Sequence, residues 1–392
     1  MNSINQKFNV PEGMRDLIFE DCRRHSEIGQ RLAAVYEGLG FREASTPTLE
    51  FLDVFEGGQN AGSGERGCER MYKLTDCSGR LLALRADNTL PIARVAATKL
   101  TGELPALIYY NQSVFAMQSE NSGRRGEITQ SGVELIGAGA PRGDMLCVLT
   151  AARALQSLGL PFKLELGHVG FSRALMGELE LSETQKRSLR RLVNAKNAVS
   201  LGAFNGLGKT ESDRIRRLPL LYGGSEIFAE AEALAGGNKR ASDALDNLKT
   251  LYTRLAEAGL AEHVILDLGI VHELDYYTGA VLRGYIEGIG EPILSGGRYD
   301  GLLSGFGYDI PATGFAINVG AVADRMAKTG CRGDYPPPDA LIHYSEEKFA
   351  EAAALAQKFA REGRSCELSC FSELEDSKRY AASRNIAEVI SL

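Results

Sequence analysis

The chain has 392 residues, and its 44 Lys plus Arg against 51 Asp plus Glu leave a formal charge of −7. At roughly 150 residues per domain, two or three domains and a sizeable core are expected. The 44% apolar and 24% charged content excludes disordered and collagen-like chains, and the acidic balance argues against a dedicated nucleic-acid binder, which needs a basic surface to neutralise phosphates. No apolar run approaches the roughly 18 residues of a membrane helix, and no charged leader with an apolar core stands at the N-terminus, so a cytoplasmic protein without membrane contact is expected. Seven cysteines at Cys22, Cys68, Cys77, Cys147, Cys331, Cys366 and Cys370 form no CxxC pair and imply neither a disulfide framework nor a metal site. The 44 glycines, about 11% against a usual 7%, cluster in short runs, as tight turns or close approach to a ligand would require.

Taken in chain order, Leu17, Ile18, Cys22, Ile28, Leu32, Val35 and Leu39 recur at helical spacing before Gly40, which predicts a first helix over about 15–39. GFREASTPTLE then reads as extended, because the residue before Pro47 is pushed out of the helical region. Residues 71–86 read as a hairpin around the turn Asp76-Cys77-Ser78-Gly79, and a helix follows over about 90–99. A strand over 106–116, a polar loop through Arg124 and Arg125, and a return strand over 127–137 predict an antiparallel hairpin. On that return strand Gln130, Gly132 and Glu134 share one face by the period-two rule, either as a pocket floor or as an exposed face. A helix near 143–157 and a strand near 162–168 follow. Charged, helical sequence over 172–259 reads as a small all-helical insertion, after which strands resume through VILDLG, YTGAVLRGYI, SGGRYDGLL and ATGFAINVG. Beyond a linker over 330–338 with three consecutive prolines, a β-α-β pattern fills the remainder. The expectation is an α+β fold. It comprises a core domain over 1–171 and 260–330, a helical insertion over 172–259 and a short C-terminal α/β module over 331–392.

Two familiar chemistries are absent from the pattern. GAFNGLGKT (202–210) ends like a phosphate-binding loop but has Ala203 where the first glycine belongs and no strand before it. The five histidines form no H-x-x-x-H pair, and no G-x-S-x-G nucleophile motif occurs. What remains is a polar set beside glycines in otherwise apolar strands: Asp87, Thr89, Gln130, Glu134, Tyr276, Tyr277 and Arg298. Carboxylates suit an amino group, hydroxyls and an amide can orient a polar ring, and glycine lets the backbone close on a small ligand. Each residue is alternatively a surface strand residue. Arg124, Arg125 and Arg298 are candidates to meet phosphate, and the first two equally a solvated loop tip.

At FREASTPTLE, LLALRADNT, QSGVELIG, LDYYTG, SGGRYDGLL and ATGFAINVG the chain resembles class II histidyl-tRNA synthetases over nearly its whole length. The resemblance implies an antiparallel sheet that holds histidine, with Thr89, Gln130, Glu134, Tyr276 and Tyr277 lining the pocket. Asp87 stands where that family has a longer glutamate at the amino-group contact. It also exposes three departures: Ala116, His272 and Ala321 occupy positions where a working synthetase carries arginines that hold a carboxylate or ATP phosphate. A small side chain cannot replace a planar bidentate donor, and one lost donor at a transition state costs about 10²- to 10³-fold. The C-terminal module is short for an anticodon-binding domain, and its 10 acids and 7 bases over 336–392 do not invite tRNA. A histidine pocket kept without its activating arginines is similar to the synthetase-derived regulatory subunits of ATP phosphoribosyltransferase. That resemblance implies a catalytically silent homodimer that joins a short catalytic subunit and confers feedback inhibition by L-histidine, with no further cofactor. The alternatives are a divergent active synthetase and a free-standing histidine-binding module.

Overall fold

A computed structural model of the chain describes residues 8–57, 71–118, 123–270, 276–330 and 336–392. Two separate units emerge, residues 1–331 and 332–392. The strands of the larger unit are β1 (Arg42–Glu43), β2 (Leu49–Phe51), β3 (Lys73–Thr75), β4 (Leu81–Leu84), β5 (Ala106–Phe115), β6 (Glu127–Ile136), β7 (Phe162–His168), β8 (Tyr222–Gly223), β9 (Val264–Asp267), β10 (Ala280–Ile286), β11 (Leu294–Arg298) and β12 (Ala312–Asn318). Nine of them form one sheet in the order β1-β5-β6-β12-β11-β10-β7-β9-β8, with β2, β4 and β3 in a separate antiparallel ribbon. From β5 to β7 every pairing is antiparallel, whereas β1 on β5 and β9 on β7 are parallel.

Alternation along the strands gives the sheet two buried faces. Val133, Leu135, Leu164, Leu166, Phe315 and Ile317 pack with Ile28, Leu32 and Tyr36 of the helix Glu20–Gly38 and with Leu155 of the helix Arg142–Ser157. The opposite face carries Ile108, Tyr110, Ile136, Val281 and Tyr277, covered by Ile92 of the helix Thr89–Lys99 and by Phe55. The segment through Ser45 and Thr46 is tied to this sheet by Gln112, whose Nε2 donates to the Thr46 carbonyl at 3.0 Å, and by Arg85, which donates to the carbonyls of Thr46 and Ser113.

The structure differs from the sequence expectations at several places. The first helix begins at Glu20, after Phe19 with φ 47°, so the apolar Leu17 and Ile18 precede it. Within 172–259 the helices Glu183–Asn194, Ala198–Gly202, Lys209–Arg217, Ile227–Ala235 and Lys239–Glu257 are joined by β8, which pairs with β9 at the edge of the main sheet. The insertion is therefore not all-helical; a two-residue strand is too short to carry a period. Buried leucines from these helices are continuous with the core above. Asp76 closes the β3–β4 hairpin as foreseen, accepting from the Ser78 and Arg80 amides.

In the smaller unit the strands β13 (Ala340–His343), β14 (Cys366–Leu368) and β15 (Glu388–Ser391) form a parallel sheet in the order β14-β13-β15, with helices Phe349–Arg361 and Leu374–Ser383 as crossovers. The expected β-α-β is thus extended by a second α-β step, because β14 is three residues long and only half-buried. No described helix is long and apolar enough to cross a membrane.

One buried ion pair joins the sheet to a helix: Arg298 Nε donates to Asp144 Oδ1 at 2.8 Å, with both side chains 3% exposed or less. Removing one member strands the other charge, which costs about 3–5 kcal/mol. Arg298→Met should lower the urea midpoint, followed by circular dichroism, and Arg298→Met with Asp144→Leu should recover most of the loss. Equal destabilisation by the single and double variants would remove the pair from this role.

Candidate functional site

Glu134 is the centre of the site. It lies on β6 with Gln130 and Gly132 on the same face, opposite Ile108, Gln112 and Tyr110 of β5 and Gly314, Asn318 and Ala316 of β12. Glycine is required there by contact: a Cβ on Gly314 would stand 2.1 Å from Glu134 Oε2, and one on Gly132 would stand 2.6 Å from the Tyr110 hydroxyl. Bare backbone therefore lets the carboxylate and the phenol lie flat across neighbouring strands.

Three hydroxyls converge on this carboxylate, which is 1% exposed. Thr89 donates to Oε1 at 2.8 Å and Tyr110 to the same oxygen at 3.4 Å, while Tyr299 donates to Oε2 in a short contact. Burial outweighs these donors and the Glu134 pKa is pushed up to about 8, so the carboxyl is largely neutral at pH 7. Asp87 is likewise raised by burial, although its Oδ1 accepts from the Leu90 amide at 2.9 Å at the start of the helix Thr89–Lys99. Asn88, 1% exposed, donates from Nδ2 to Gln130 Oε1 at 3.1 Å, and its own Oδ1 has no partner among the described residues. Tyr276 and Tyr277 stack obliquely at 4.6 Å, and Tyr276 meets Tyr299 edge-on at 6.1 Å. Burial raises all three phenols above their ordinary value, so they act as neutral hydrogen-bonding groups.

Of the residues singled out from sequence, Asp87, Thr89, Gln130, Glu134, Tyr276 and Tyr277 come together around this face. Arg298 is engaged within the fold: its Nε and Nη1 donate to Asp144 and Asp300 and its Nη2 to the Ala138 carbonyl. The adjacent Tyr299 points to the pocket instead. Arg124 lies on the exposed loop, 3.9 Å from Glu291. Ala116 closes the hairpin through its amide to the Gly126 carbonyl. Ala321 lies in the first turn of the helix Val319–Lys328, where Asn318 accepts its amide proton. Beside it Arg125 overlies Gly320 and pairs with Asp324, which Arg15 also reaches at 3.3 Å. His272 lies outside the described residues. Tyr110 and Tyr299 escaped the sequence reading; their signal was adjacency, the one in the strand facing Gly132 and the other following Arg298.

A family profile described as histidyl-tRNA synthetase matches residues 13–322. The chain is 37% identical over 395 residues to an ATP phosphoribosyltransferase regulatory subunit of Clostridium acetobutylicum, covering 99% of this chain and 96% of the relative. It is 36% identical over 388 residues to one of Bacillus cereus, covering 97% and 90%. A crystal structure of an ATP phosphoribosyltransferase regulatory subunit/histidyl-tRNA synthetase from Bacillus halodurans superposes with a TM-score of 0.84 at 31% identity, covering 98% of each chain. The histidyl-tRNA synthetase of Nostoc sp. shares the fold, with a TM-score of 0.79 at 20% identity over 97% of this chain and 90% of that one.

The raised pKa of Glu134 makes stability fall with pH. An unfolded glutamate ionises near 4.5 and the buried one near 8, so across that window the folded state holds one more proton and loses stability as pH rises. Glu134→Gln removes this dependence. Its melting temperature should gain on wild type by at least about 3 °C between about pH 5 and pH 8.5; a difference constant with pH would mean that the carboxyl is already ionised.

Proposed function

This chain belongs to the family of ATP phosphoribosyltransferase regulatory subunits, built on the histidyl-tRNA synthetase fold, and we propose that it is a non-catalytic subunit whose Glu134 pocket binds L-histidine and reports it to a short catalytic subunit. The observation that carries this reading is the glycine-floored carboxylate ringed by Thr89, Tyr110, Tyr299, Tyr276 and Tyr277. A buried neutral acid among hydroxyls suits a small ligand rich in N–H donors. Ionising in response to an ammonium or imidazole, it gains a charge-assisted hydrogen bond. Asp87, at the rim of the same set, is placed for the amino group, and Gln130, positioned by Asn88, for the remaining polar edge.

Adenylation needs cations on the carboxylate and on ATP phosphate. Alanine at positions 116 and 321 supplies none, and Arg125 at the second place is engaged by Asp324. This supports a pocket that recognises without activating, with histidine as the only small-molecule ligand and no tRNA. A binding site on one subunit changes activity on another when the ligand prefers one of two assembly states, and the same coupling acts in reverse. The regulatory homodimer would thus respond to the end product of a pathway whose first enzyme it completes.

The test is reconstitution. Co-purified with a short phosphoribosyltransferase subunit, the chain should support activity that histidine suppresses. Glu134→Ala should leave assembly intact and weaken inhibition by at least about 100-fold, the order expected for losing two hydrogen bonds to a charged group. Unchanged inhibition in that variant would place the effector elsewhere.

A further inference from the structure

Gln130 stands on the pocket face of β6 with a polar neighbour on each side, and neither neighbour holds its amide. Gln112 of β5, directly opposite, donates from Nε2 to Ser45 Oγ at 2.9 Å and to the Thr46 carbonyl at 3.0 Å, and its Oε1 accepts from the Thr46 hydroxyl. Asn318 of β12, opposite on the other side, uses its Oδ1 on the Ala321 amide. Among the described residues the hydrogen bond that orients Gln130 comes from Asn88, whose Nδ2 donates to Oε1 at 3.1 Å.

Asn88 is itself firmly placed. It is 1% exposed, and its backbone carbonyl accepts the Ile92 amide at 3.1 Å as the helix Thr89–Lys99 begins. Although it is the N-cap of that helix, its side chain makes no capping bond, so its amide is left for Gln130. The buried Oδ1 finds no partner among the described residues. A carbonyl oxygen tolerates that position better than an N–H would, so the nitrogen stays on the Gln130 side. The consequence is a fixed polarity. Gln130 gives its oxygen to Asn88 and keeps both Nε2 protons for a ligand acceptor.

The two ends of the pocket floor then make opposite demands, with an acid at Glu134 and N–H groups at Gln130. Four residues along β6 separate their Cα atoms by about 13 Å, with Gly132 adding no side chain between them. An amino acid with a five-membered ring spans about 7 Å from ring nitrogen to carboxylate, and two hydrogen bonds of about 2.9 Å complete the distance. Among the described residues no cation is hydrogen-bonded to Asp87, Gln130 or Glu134, so a carboxylate at the far end meets amide donors, whose orientation decides whether they attract or repel it.

We propose that Asn88 is a positioning residue that holds the Gln130 amide with its N–H groups toward the ligand, so that the pocket selects an amino acid with a free carboxylate over the corresponding amine. This rests on the histidine reading of the Glu134 pocket and adds the source of its selectivity.

The experiment is calorimetric titration at pH 7 of the full-length chain, Asn88→Ala and Asn88→Asp with L-histidine and with histamine, which keeps the ring and amino group and lacks the carboxylate. Wild type should prefer histidine by at least about tenfold, the order of one charge-assisted hydrogen bond. Asn88→Ala frees the amide to turn and should cut that preference by at least about threefold while histamine affinity stays within about twofold. Asn88→Asp, ionised, accepts from Nε2 and turns Oε1 to the ligand, so the preference should fall to about one or invert; aspartate suits an N-cap, so the helix keeps its start. A preference retained in both variants, a wild-type ratio near one, or equal loss of both ligands in Asn88→Ala, as a purely structural role would give, would overturn the assignment. Wild type binding neither ligand would instead overturn the histidine reading and this inference with it.

Discussion

The arrangement of the central sheet depends on one constraint, a carboxylate enclosed on a sheet face with no cation paired to it among the described residues. Burying such a group costs several kcal/mol unless it is hydrogen-bonded or protonated. Glu134 uses both solutions, with hydroxyls from Thr89, Tyr110 and Tyr299 and a pKa near 8. Each solution dictates a neighbour. Gly314 must lack a side chain so that the carboxylate can lie across β12, and Gly132 must lack one so that Tyr110 can reach it. The register of β5, β6 and β12 is fixed by these close approaches as much as by the apolar faces, since a one-residue slip would turn Glu134 into the opposite, helix-covered layer.

Long elements and short-range motifs were readable from the chain because their signals are local. The strands β5, β6 and β7 and the helix before β7 declare themselves by period, and the pairing of Gln130 with Glu134 across Gly132 follows from alternation alone. Tyr110 and Tyr299 were missed for a different reason. Their bonds to Glu134 span 24 and 165 residues, and which strand lies beside which is a property of the whole sheet. Arg298 shows the same limit from the other side. It was selected from SGGRYDG, yet its charge is consumed by Asp144, 154 residues away, while the next residue turns to the pocket. β8 and β14, of two and three residues, carry too little pattern to be seen without their partners.

The proposed binding without activation fits the placement of the groups on this frame. Glu134 and Thr89 sit on β6 and the helix Thr89–Lys99, whereas Ala116 and Ala321 sit at the end of the β5–β6 hairpin and in the helix Val319–Lys328, so one set can change without the other. β5, β6, the segment 87–89 and Tyr299 bring hydrogen-bonding groups together around Glu134. The hairpin end at Ala116 and the helix start at Ala321 offer only backbone, and Arg125 forms an ion pair with Asp324 instead of remaining available to an anion. A pocket that bound without turnover would suit a case where ligand occupancy is the output, because coupling needs only a difference in affinity between two states.

The most direct measurement is calorimetric titration of the purified chain with L-histidine near pH 7, with and without ATP, accompanied by an assay for pyrophosphate. The account predicts saturable binding of one histidine per chain, unchanged by ATP and without pyrophosphate release. A flat titration up to about 10 mM would contradict the pocket, and histidine-dependent release of pyrophosphate would contradict its silence.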